Sequence, residues 1–340
     1  MTSLVVQTAF LGDVVLTTPL LEALATQHGP VDVVTTPAAA GLLETHPAVR
    51  RVIPYDKHGT DRGFGGLRRL ASRLRAERYA EAYLPHRSLR SAALARLAGI
   101  PRRIGFADGW RRLYTEARPR PTSGHEIDRL LALARDSATP GRRPSLRLTE
   151  EDTAAAASLL VGGGIAPGAP FAGLAPGAIW GTKRWPRYEE LARRLVAQLA
   201  VVVVGSRDDA SLGEAIVAAA GAGGDGRHPV VNACGRLTLR QTAALVARAA
   251  VLVTNDSAPL HLAQAVGTRT VAVFGPTVPA FGFGPRGLED RVVQVALHCR
   301  PCSPHGPAAC PLGHHRCMTE LSVEQVLHTI EETGALHRRD

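Results

Sequence analysis

The sequence predicts an α/β protein with two domains, each built on a parallel sheet covered by helices on both faces. Three observations indicate this fold class. Short runs of Val, Leu and Ile alternate with longer segments in which apolar residues recur at helical spacing. A glycine- and proline-rich stretch at residues 162–170 interrupts this alternation, which then resumes. The length of 340 residues, of which 45% are hydrophobic, is enough for two cores of ordinary size.

The first half begins with a predicted strand at residues 4–6, a turn at residues 10–13 and an apolar helix at residues 14–24. Further strands are predicted at residues 31–34 and 51–53. An arginine-rich helix follows, because its apolar residues are three or four positions apart. Those residues are Leu67, Leu70, Ala71 and Leu74.

The second half repeats this order of elements. Its predicted strands lie at residues 171–174, 201–204, 251–253 and 270–274, and its helices at residues 188–199, 240–250 and 259–266. We therefore expect a first domain at residues 1–165, a second at residues 171–321, and a C-terminal helix and tail at residues 322–340. Open parallel sheets bind ligands beyond the carboxyl ends of their strands, so we expect the ligand site in a cleft between the domains.

Positive charge is concentrated in the first half of the chain. The formal net charge is +10, yet residues 50–120 alone carry 18 basic and 6 acidic residues, so the remainder is slightly acidic. Such a surface attracts polyanions or an anionic membrane, although a solvated arginine-rich face explains it equally well. The arginines expected on this surface are Arg68, Arg69, Arg73, Arg75 and Arg78.

The composition indicates a cytoplasmic protein. No stretch approaches the roughly 20 apolar residues of a spanning helix, and residues 1–4 lack the basic flank of a signal peptide. In a reducing compartment, clustered cysteines favour a metal site or free thiols over disulfides. Cys299, Cys302, Cys310 and Cys317 have a spacing compatible with structural zinc or iron, or with free thiols that pack a proline-rich loop.

Two loops of the second half carry residues suited to binding phosphate. The loop at residues 175–186 combines glycines with Thr182 and with Lys183, one of only two lysines in the chain. The loop at residues 253–261 leads into a predicted helix, whose free N–H groups would face an anion. Each loop also has a purely structural explanation, as a packed turn and as an ordinary capped helix.

Three aspartates follow predicted strands in the same way. Asp208 and Asp209 either accept hydrogen bonds from ribose hydroxyls or cap the next helix. Asp13 has the position of a general base for an acceptor hydroxyl, or again of a helix cap. The first strand is not followed by G-x-G-x-x-G, which argues against a dinucleotide-dependent oxidoreductase.

Taken together, these segments resemble the family 9 glycosyltransferases, the ADP-heptose:lipopolysaccharide heptosyltransferases. The resemblance extends from residues 4–15 to residues 310–317, and its most specific parts are residues 176–186 and 255–261. The late sequences CRPC and PLGHHRC are most similar to the heptosyltransferase II branch. Many members have two serines before the L-G-D sequence, whereas this chain has Ala9 and Phe10.

The resemblance implies the GT-B fold, in which two Rossmann-like domains face each other across a cleft. It also implies an inverting, metal-independent transfer of heptose from ADP-heptose to the lipopolysaccharide inner core, with Asp13 as the base and Lys183, preceded by Thr182, on the diphosphate. The family's donor loop corresponds to Asp256, Ser257, Ala258 and His261, and its ribose-binding acid to Asp208 or Asp209.

The implied acceptor is a phosphorylated lipid A and inner-core saccharide, so we expect peripheral attachment to the inner face of the cytoplasmic membrane through the arginines above. An alternative is another GT-B transferase or epimerase that uses a UDP-sugar. A nucleic-acid-binding protein with a cysteine metal module is disfavoured, because the basic region lacks interleaved aromatic residues.

Overall fold

A computed structural model describes residues 2–136, 141–221 and 228–336. The chain divides into two compact units, Met1–Arg147 and Leu148–Asp340. Each unit contains one six-stranded sheet in which every pairing is parallel. The predicted α/β class with two parallel sheets is confirmed.

The sheet of the first unit has the strand order β3-β2-β1-β4-β5-β6. Its strands are β1 Ser3–Val6, β2 Val31–Thr35, β3 Val49–Pro54, β4 Glu81–Leu84, β5 Arg102–Phe106 and β6 Glu116–Arg118. Its helices are α1 Leu11–Leu16, α2 Thr18–His28, α3 Pro37–Leu43, α4 Gly63–Ala76, α5 Leu89–Leu97 and α6 Glu126–Leu131. Strands β1, β2 and β4 are buried at every position, as expected when helices cover both faces of a sheet.

The second sheet has the order β12-β11-β10-β7-β8-β9, which is the same Rossmann-type order counted from its own first strand. Its strands are β7 Phe171–Ala175, β8 Ala200–Val203, β9 Val230–Asn232, β10 Val251–Asn255, β11 Thr270–Val273 and β12 Arg291–Val293. Its helices are α7 Glu150–Gly162, α8 Tyr188–Leu195, α9 Ala210–Gly221, α10 Leu239–Val246, α11 Ala258–Val266, α12 Arg316–Thr319 and α13 Val323–Glu332.

The single helix expected at residues 14–24 is in fact two helices. Helix α1 already begins at Leu11, and α2 begins at Thr18, immediately before Pro19. Proline has no backbone N–H and cannot continue the preceding hydrogen-bond ladder, so a new helix starts here. As a result, Asp13 lies in the first turn of α1 rather than in a turn that precedes it.

The division between the two compact units falls after Arg147, 18 residues before the end expected for the first domain at residue 165. Helix α7 belongs to the second unit, where Asp152 in its first turn pairs with Arg240 of α10. The glycine-rich stretch after α7 is a packed turn, because Ile165 is buried in the core beneath β7. Gly163 is required there, since a Cβ atom would lie 2.4 Å from a methyl carbon of Val231.

The C-terminal helix expected within residues 322–340 is α13. Its apolar face, Val323, Val326 and Ile330, is buried in the core of the second unit together with Trp185 and Leu191. It is therefore an integral layer of that unit. Residues 337–340 of the predicted tail lie outside the described residues.

Candidate active site

The carboxyl end of β1 leads directly to Asp13. Its carboxylate Oδ2 accepts a hydrogen bond of 3.2 Å from the backbone N–H of Phe10, at the start of α1. The residue thus closes the first turn of the helix, which is the structural role that the sequence left open for it. A carboxylate in this position is also near the positive end of the helix dipole.

The pKa of Asp13 is raised to about 6, first by burial and then by repulsion from Glu126. The Phe10 N–H and the Arg120 guanidinium act in the opposite direction. A carboxylate with this pKa is ionised at neutral pH and is a stronger base than an ordinary aspartate. This environment suits a group that must accept a proton from a hydroxyl.

Glu126 and Arg120 are charged neighbours of Asp13 that sequence patterns did not indicate. Arg120 Nη2 lies 2.6 Å from Glu126 Oε1, and its guanidinium carbon lies 5.4 Å from the ring centre of Phe106. Their separation of six residues has no distinctive pattern. The structure brings the pair close to Asp13, because β6 ends and α6 begins at the same edge of the first sheet.

Lys57, the other lysine of the chain, lies at the same edge of the first sheet. Its Nζ donates a 2.6 Å hydrogen bond to the carbonyl of Thr8, in the loop between β1 and Asp13. Burial and the nearby Arg90 guanidinium lower the pKa of Lys57. Arg90 in turn lies 5.6 Å from the ring centre of Tyr55. No local motif surrounds Lys57, so sequence patterns do not indicate its place at this edge.

Four of the five predicted surface arginines lie on the exposed side of α4. Leu67, Leu70 and Leu74 of this helix are buried in the core, so the opposite face is exposed. Arg68, Arg69, Arg73 and Arg75 lie in the helix with exposed side chains, and Arg78 follows it in a left-handed conformation. The exposed Phe64 ring lies beside them, 5.7 Å from the guanidinium carbon of Arg68.

In the second unit, Lys183 and Asp256 form a buried ion pair. Lys183 lies in the turn after β7 and Asp256 directly after β10, the neighbouring strand. Lys183 Nζ is 2.7 Å from Asp256 Oδ2 and 3.2 Å from the Asp256 carbonyl, and the two side chains are only 12% and 10% exposed. The described residues thus supply acceptors for two of the three N–H groups of the ammonium.

Asp256 holds the lysine rather than capping the next helix. Its Oδ2 atom also accepts a 2.7 Å hydrogen bond from the hydroxyl of Thr277, which follows β11. The N-cap of α11 is Ser257, whose hydroxyl instead contacts the carbonyl of Gly177 at 3.3 Å. Ala258 then begins α11. Within its first turn, Pro259 has no N–H and the Leu260 N–H donates to the Ser257 carbonyl at 3.1 Å, so the Ala258 N–H is the backbone donor that this turn can offer to an anion.

The side chain of Thr182 does not have the phosphate-binding role expected for it. It is buried, and its hydroxyl donates a 2.6 Å hydrogen bond to the carbonyl of Pro307. Because a hydroxyl has a single proton, this contact occupies its donor. The expectation that Thr182 offers this proton to a diphosphate is therefore corrected: the residue anchors the turn that carries Lys183.

Asn255 is a positioning residue at the end of β10. Its amide Nδ2 donates to the carbonyl of Pro176 at 2.8 Å, and its Oδ1 accepts from the Trp185 N–H at 3.2 Å. The turn that contains Lys183 is thus held at both ends from β10. Asn255 lies within the motif at residues 255–261, but the motif by itself does not indicate this role.

His261 lies one turn into α11 and is buried. Burial lowers its pKa to about 4, with the Asp256 charge opposing and the Lys183 charge adding to this shift. The imidazole is therefore neutral at physiological pH. Its Nδ1 lies 3.5 Å from Gln264 Nε2, and its ring packs edge-on against Phe283.

The two acidic residues after β8 differ in their surroundings. Asp209 Oδ2 accepts hydrogen bonds from the N–H of Ser206 at 2.8 Å and from its hydroxyl at 2.7 Å, so it closes the turn before α9. Its carboxylate also lies against Gly177, where an added Cβ would be 2.4 Å from Oδ1. Asp208, by contrast, is exposed.

The four late cysteines are free thiols in this structure. Across residues 2–136, 141–221 and 228–336, no group of three or more His, Cys, Asp or Glu side chains is arranged to hold a metal ion. The predicted zinc or iron ligands therefore do not form a ready metal site, although all four lie in one segment between β12 and α13. In the same ranges, no helix has the length and hydropathy needed to cross a bilayer.

Comparisons with known proteins agree with these features. The model of glycosyltransferase family 9 (heptosyltransferase) matches residues 67–315. Lipopolysaccharide heptosyltransferase 2 of Escherichia coli strain K12 is 29% identical, over 98% of this chain and 97% of that protein. Lipopolysaccharide heptosyltransferase 1 of Pseudomonas aeruginosa is 30% identical, over 95% of this chain and 92% of that protein.

The solved structure of Escherichia coli ADP-heptose lps heptosyltransferase II has a TM-score of 0.81 and 27% identity, and the match covers 99% of this chain and 98% of that one. The resemblance to the heptosyltransferase II branch is thus confirmed in sequence and in structure. The family match also spans both the Lys183 turn and the start of α11. The chain belongs to glycosyltransferase family 9, the heptosyltransferases.

Proposed function

We propose that this enzyme transfers heptose from ADP-heptose to a hydroxyl of the lipopolysaccharide inner core, with inversion at the anomeric carbon. The observation that carries the proposal is the ammonium of Lys183 beside the start of α11: Asp256 holds it, and the described residues supply acceptors for only two of its three N–H groups. The near full-length Escherichia coli relatives, named as lipopolysaccharide and ADP-heptose enzymes, support the choice of substrates.

On the donor side, Lys183 and the Ala258 N–H at the start of α11 bind the diphosphate. The leaving ADP gains negative charge as the glycosidic bond breaks, so cationic and N–H donors that are already in place stabilise the transition state. Asp208, the exposed acid after β8, accepts hydrogen bonds from the ribose, while Asp209 maintains the turn. His261 belongs to this donor site as a neutral imidazole, because burial prevents it from carrying charge.

On the acceptor side, Asp13 removes the proton from the attacking hydroxyl. Inversion requires this oxygen to attack from the side opposite to the leaving ADP, so the base and the diphosphate ligands act on opposite sides of the transferred sugar. The raised pKa of Asp13 brings its basicity closer to that required near neutral pH.

A thermal-shift experiment tests the nucleotide, which separates this proposal from a UDP-sugar transferase or epimerase. We expect ADP to raise the melting temperature, because a ligand at 100 times its Kd adds about 2.7 kcal/mol to the free energy of unfolding. UDP at the same concentration should have little effect. Stabilisation by UDP without stabilisation by ADP would contradict the proposed donor.

Heptose transfer should also survive addition of EDTA, because Lys183 and α11 neutralise the diphosphate.

We propose further that α4 docks the enzyme on the anionic membrane surface that carries the acceptor. Changing Arg68, Arg69 and Arg73 together to Gln should weaken binding to phosphatidylglycerol-containing vesicles about 10²-fold at low salt, at about 1 kcal/mol per cation. Vesicle co-sedimentation measures this. The matched control changes Arg193, Arg194 and Arg236, which are exposed in the second unit, and should bind like the wild type. Equal losses in both triple variants would indicate an effect of net charge alone.

A further inference from the structure

The segment from Cys299 to Cys317 is called the cysteine loop below. It forms hydrogen bonds with the turn that carries Lys183. The hydroxyl of Thr182 donates to the carbonyl of Pro307 at 2.6 Å. The carbonyl of Thr182 is in turn 2.8 Å from Nε2 of His315. The hydroxyl and the carbonyl of the residue before Lys183 are therefore bound by this loop, from two points eight residues apart.

The cysteine loop also packs against Lys183 and is linked to Asp256 through Thr277. An added Cβ on Gly306 would lie 3.2 Å from Cε and 3.3 Å from Cγ of Lys183, so the loop backbone packs against the lysine stem. Arg300 Nη2 donates to the carbonyl of Thr277 at 2.8 Å. The hydroxyl of Thr277 is the group that binds Asp256. Movement of the loop would thus be transmitted to both the ammonium and its carboxylate.

The contact of His315 with the Thr182 carbonyl shows that its Nε2 atom carries a proton. A backbone carbonyl can only accept, so Nε2 carries a proton and donates it to Thr182. The residue has a φ of 49°, in the left-handed region that costs free energy for a residue with a Cβ. Its own N–H donates to the sulfur of Cys310 at 3.4 Å. The loop therefore holds the ring in place despite an unfavourable backbone conformation.

We infer that His315 is a positioning residue for the donor site: its Nε2–H fixes the Thr182 carbonyl and thereby the direction of the Lys183 ammonium. This inference rests on the proposed function of Lys183. In this role the ring acts through Thr182 and Lys183 and not on a substrate. Loss of the hydrogen bond would let the turn relax, so Lys183 would bind the diphosphate less well in both the ground state and the transition state.

Four variants test this role. In His315→Ala the donor is removed, and in His315→Asn the amide is too short to reach, although Asn tolerates the left-handed conformation well. In His315→Gln the amide nitrogen takes the place of Nε2. The matched control is His314→Ala: this exposed neighbouring ring accepts a hydrogen bond from the Arg316 N–H, and within the described residues it makes no hydrogen bond to Thr182.

We expect the Ala and Asn variants to lower kcat/KM for ADP-heptose and the affinity for ADP by about three- to tenfold, the range for one lost hydrogen bond. The Gln variant should lie within about twofold of the wild type, as should His314→Ala. KM for the acceptor should change little in all four. Isothermal titration with ADP and steady-state kinetics measure these values, and melting curves identify any variant that is unfolded.

Two results would overturn the inference: ADP affinity in His315→Asn equal to that of the wild type, or a His315→Gln variant as defective as the Ala variant. Because Asn suits the backbone here, the Asn and Gln pair remains decisive even if the Ala variant does not fold. Failure of the proposed function would appear differently, as a wild-type enzyme that does not bind ADP at all.

Discussion

Replacing Asp13 with Asn is expected to lower kcat for heptose transfer by about 10²–10⁴, the usual contribution of a general base. The amide cannot accept the proton of the attacking hydroxyl, yet it has the same shape as the carboxylate and can keep the hydrogen bond from the Phe10 N–H. Affinity for ADP should remain at the wild-type value. Steady-state kinetics and ADP titration measure both quantities. A kcat within a few-fold of the wild type would remove Asp13 as the base.

The pH dependence provides an independent check on Asp13. Since its pKa is about 6, kcat/KM of the wild type should fall as the pH decreases through 6. The Glu126→Gln variant removes a neighbouring negative charge and should move this acidic limb to lower pH. A general loss of folding would lower activity at every pH without moving the limb.

Asp13→Asn should lower activity but raise the stability of the folded protein. The pKa of Asp13 is higher in the folded protein than its ordinary value of 3.8, so the folded state favours the protonated form. Its stabilising contribution is complete below about pH 4 and is lost as the pH rises through 6. Asp13→Asn should therefore be more stable than the wild type at pH 8, by about 1–3 kcal/mol. Urea unfolding at pH 8 and pH 4 measures the difference, which should vanish at the lower pH.

Replacing Lys183 with Met is expected to lower kcat/KM by about 10²–10³ and to weaken binding of ADP, because the main cation on the diphosphate is removed. Methionine keeps most of the aliphatic stem that packs against Gly306. The change also leaves the buried carboxylate of Asp256 without its cation, which should destabilise the protein on the order of 3 kcal/mol. Kinetics, ADP titration and urea unfolding measure the three effects.

The double variant Lys183→Met with Asp256→Asn separates the two roles of the lysine. Removing the unpaired carboxylate should restore most of the stability, since a neutral amide can still accept from the Thr277 hydroxyl. Activity should stay low, because no cation is returned. If the double variant recovered transfer, the defect of the single variant would be explained by the unpaired Asp256 and not by the loss of Lys183.

Local patterns predicted most strands because those of a parallel sheet are nearly continuous apolar runs, as at β8 and β10. Local patterns were less informative where contacts between distant residues decide the structure. Residues 162–170 have the composition of a linker, yet Ile165 is buried in the core of the second unit. Likewise, the phosphate-binding composition of the Lys183 turn did not reveal that the Thr182 hydroxyl is bound to Pro307, 125 residues away.

The amino-acid order alone determined the α/β class, the family resemblance and the positions of Asp13 and Lys183 after their strands, because these depend on periodicity and short motifs. Only the tertiary structure decided how those residues are surrounded. The pairing of Lys183 with Asp256, the Glu126 charge near Asp13 and the contact of His315 with Thr182 join segments 73, 113 and 133 residues apart. Such partners are brought together by the shared carboxyl edge of a sheet and by loop packing, neither of which leaves a local pattern in the chain.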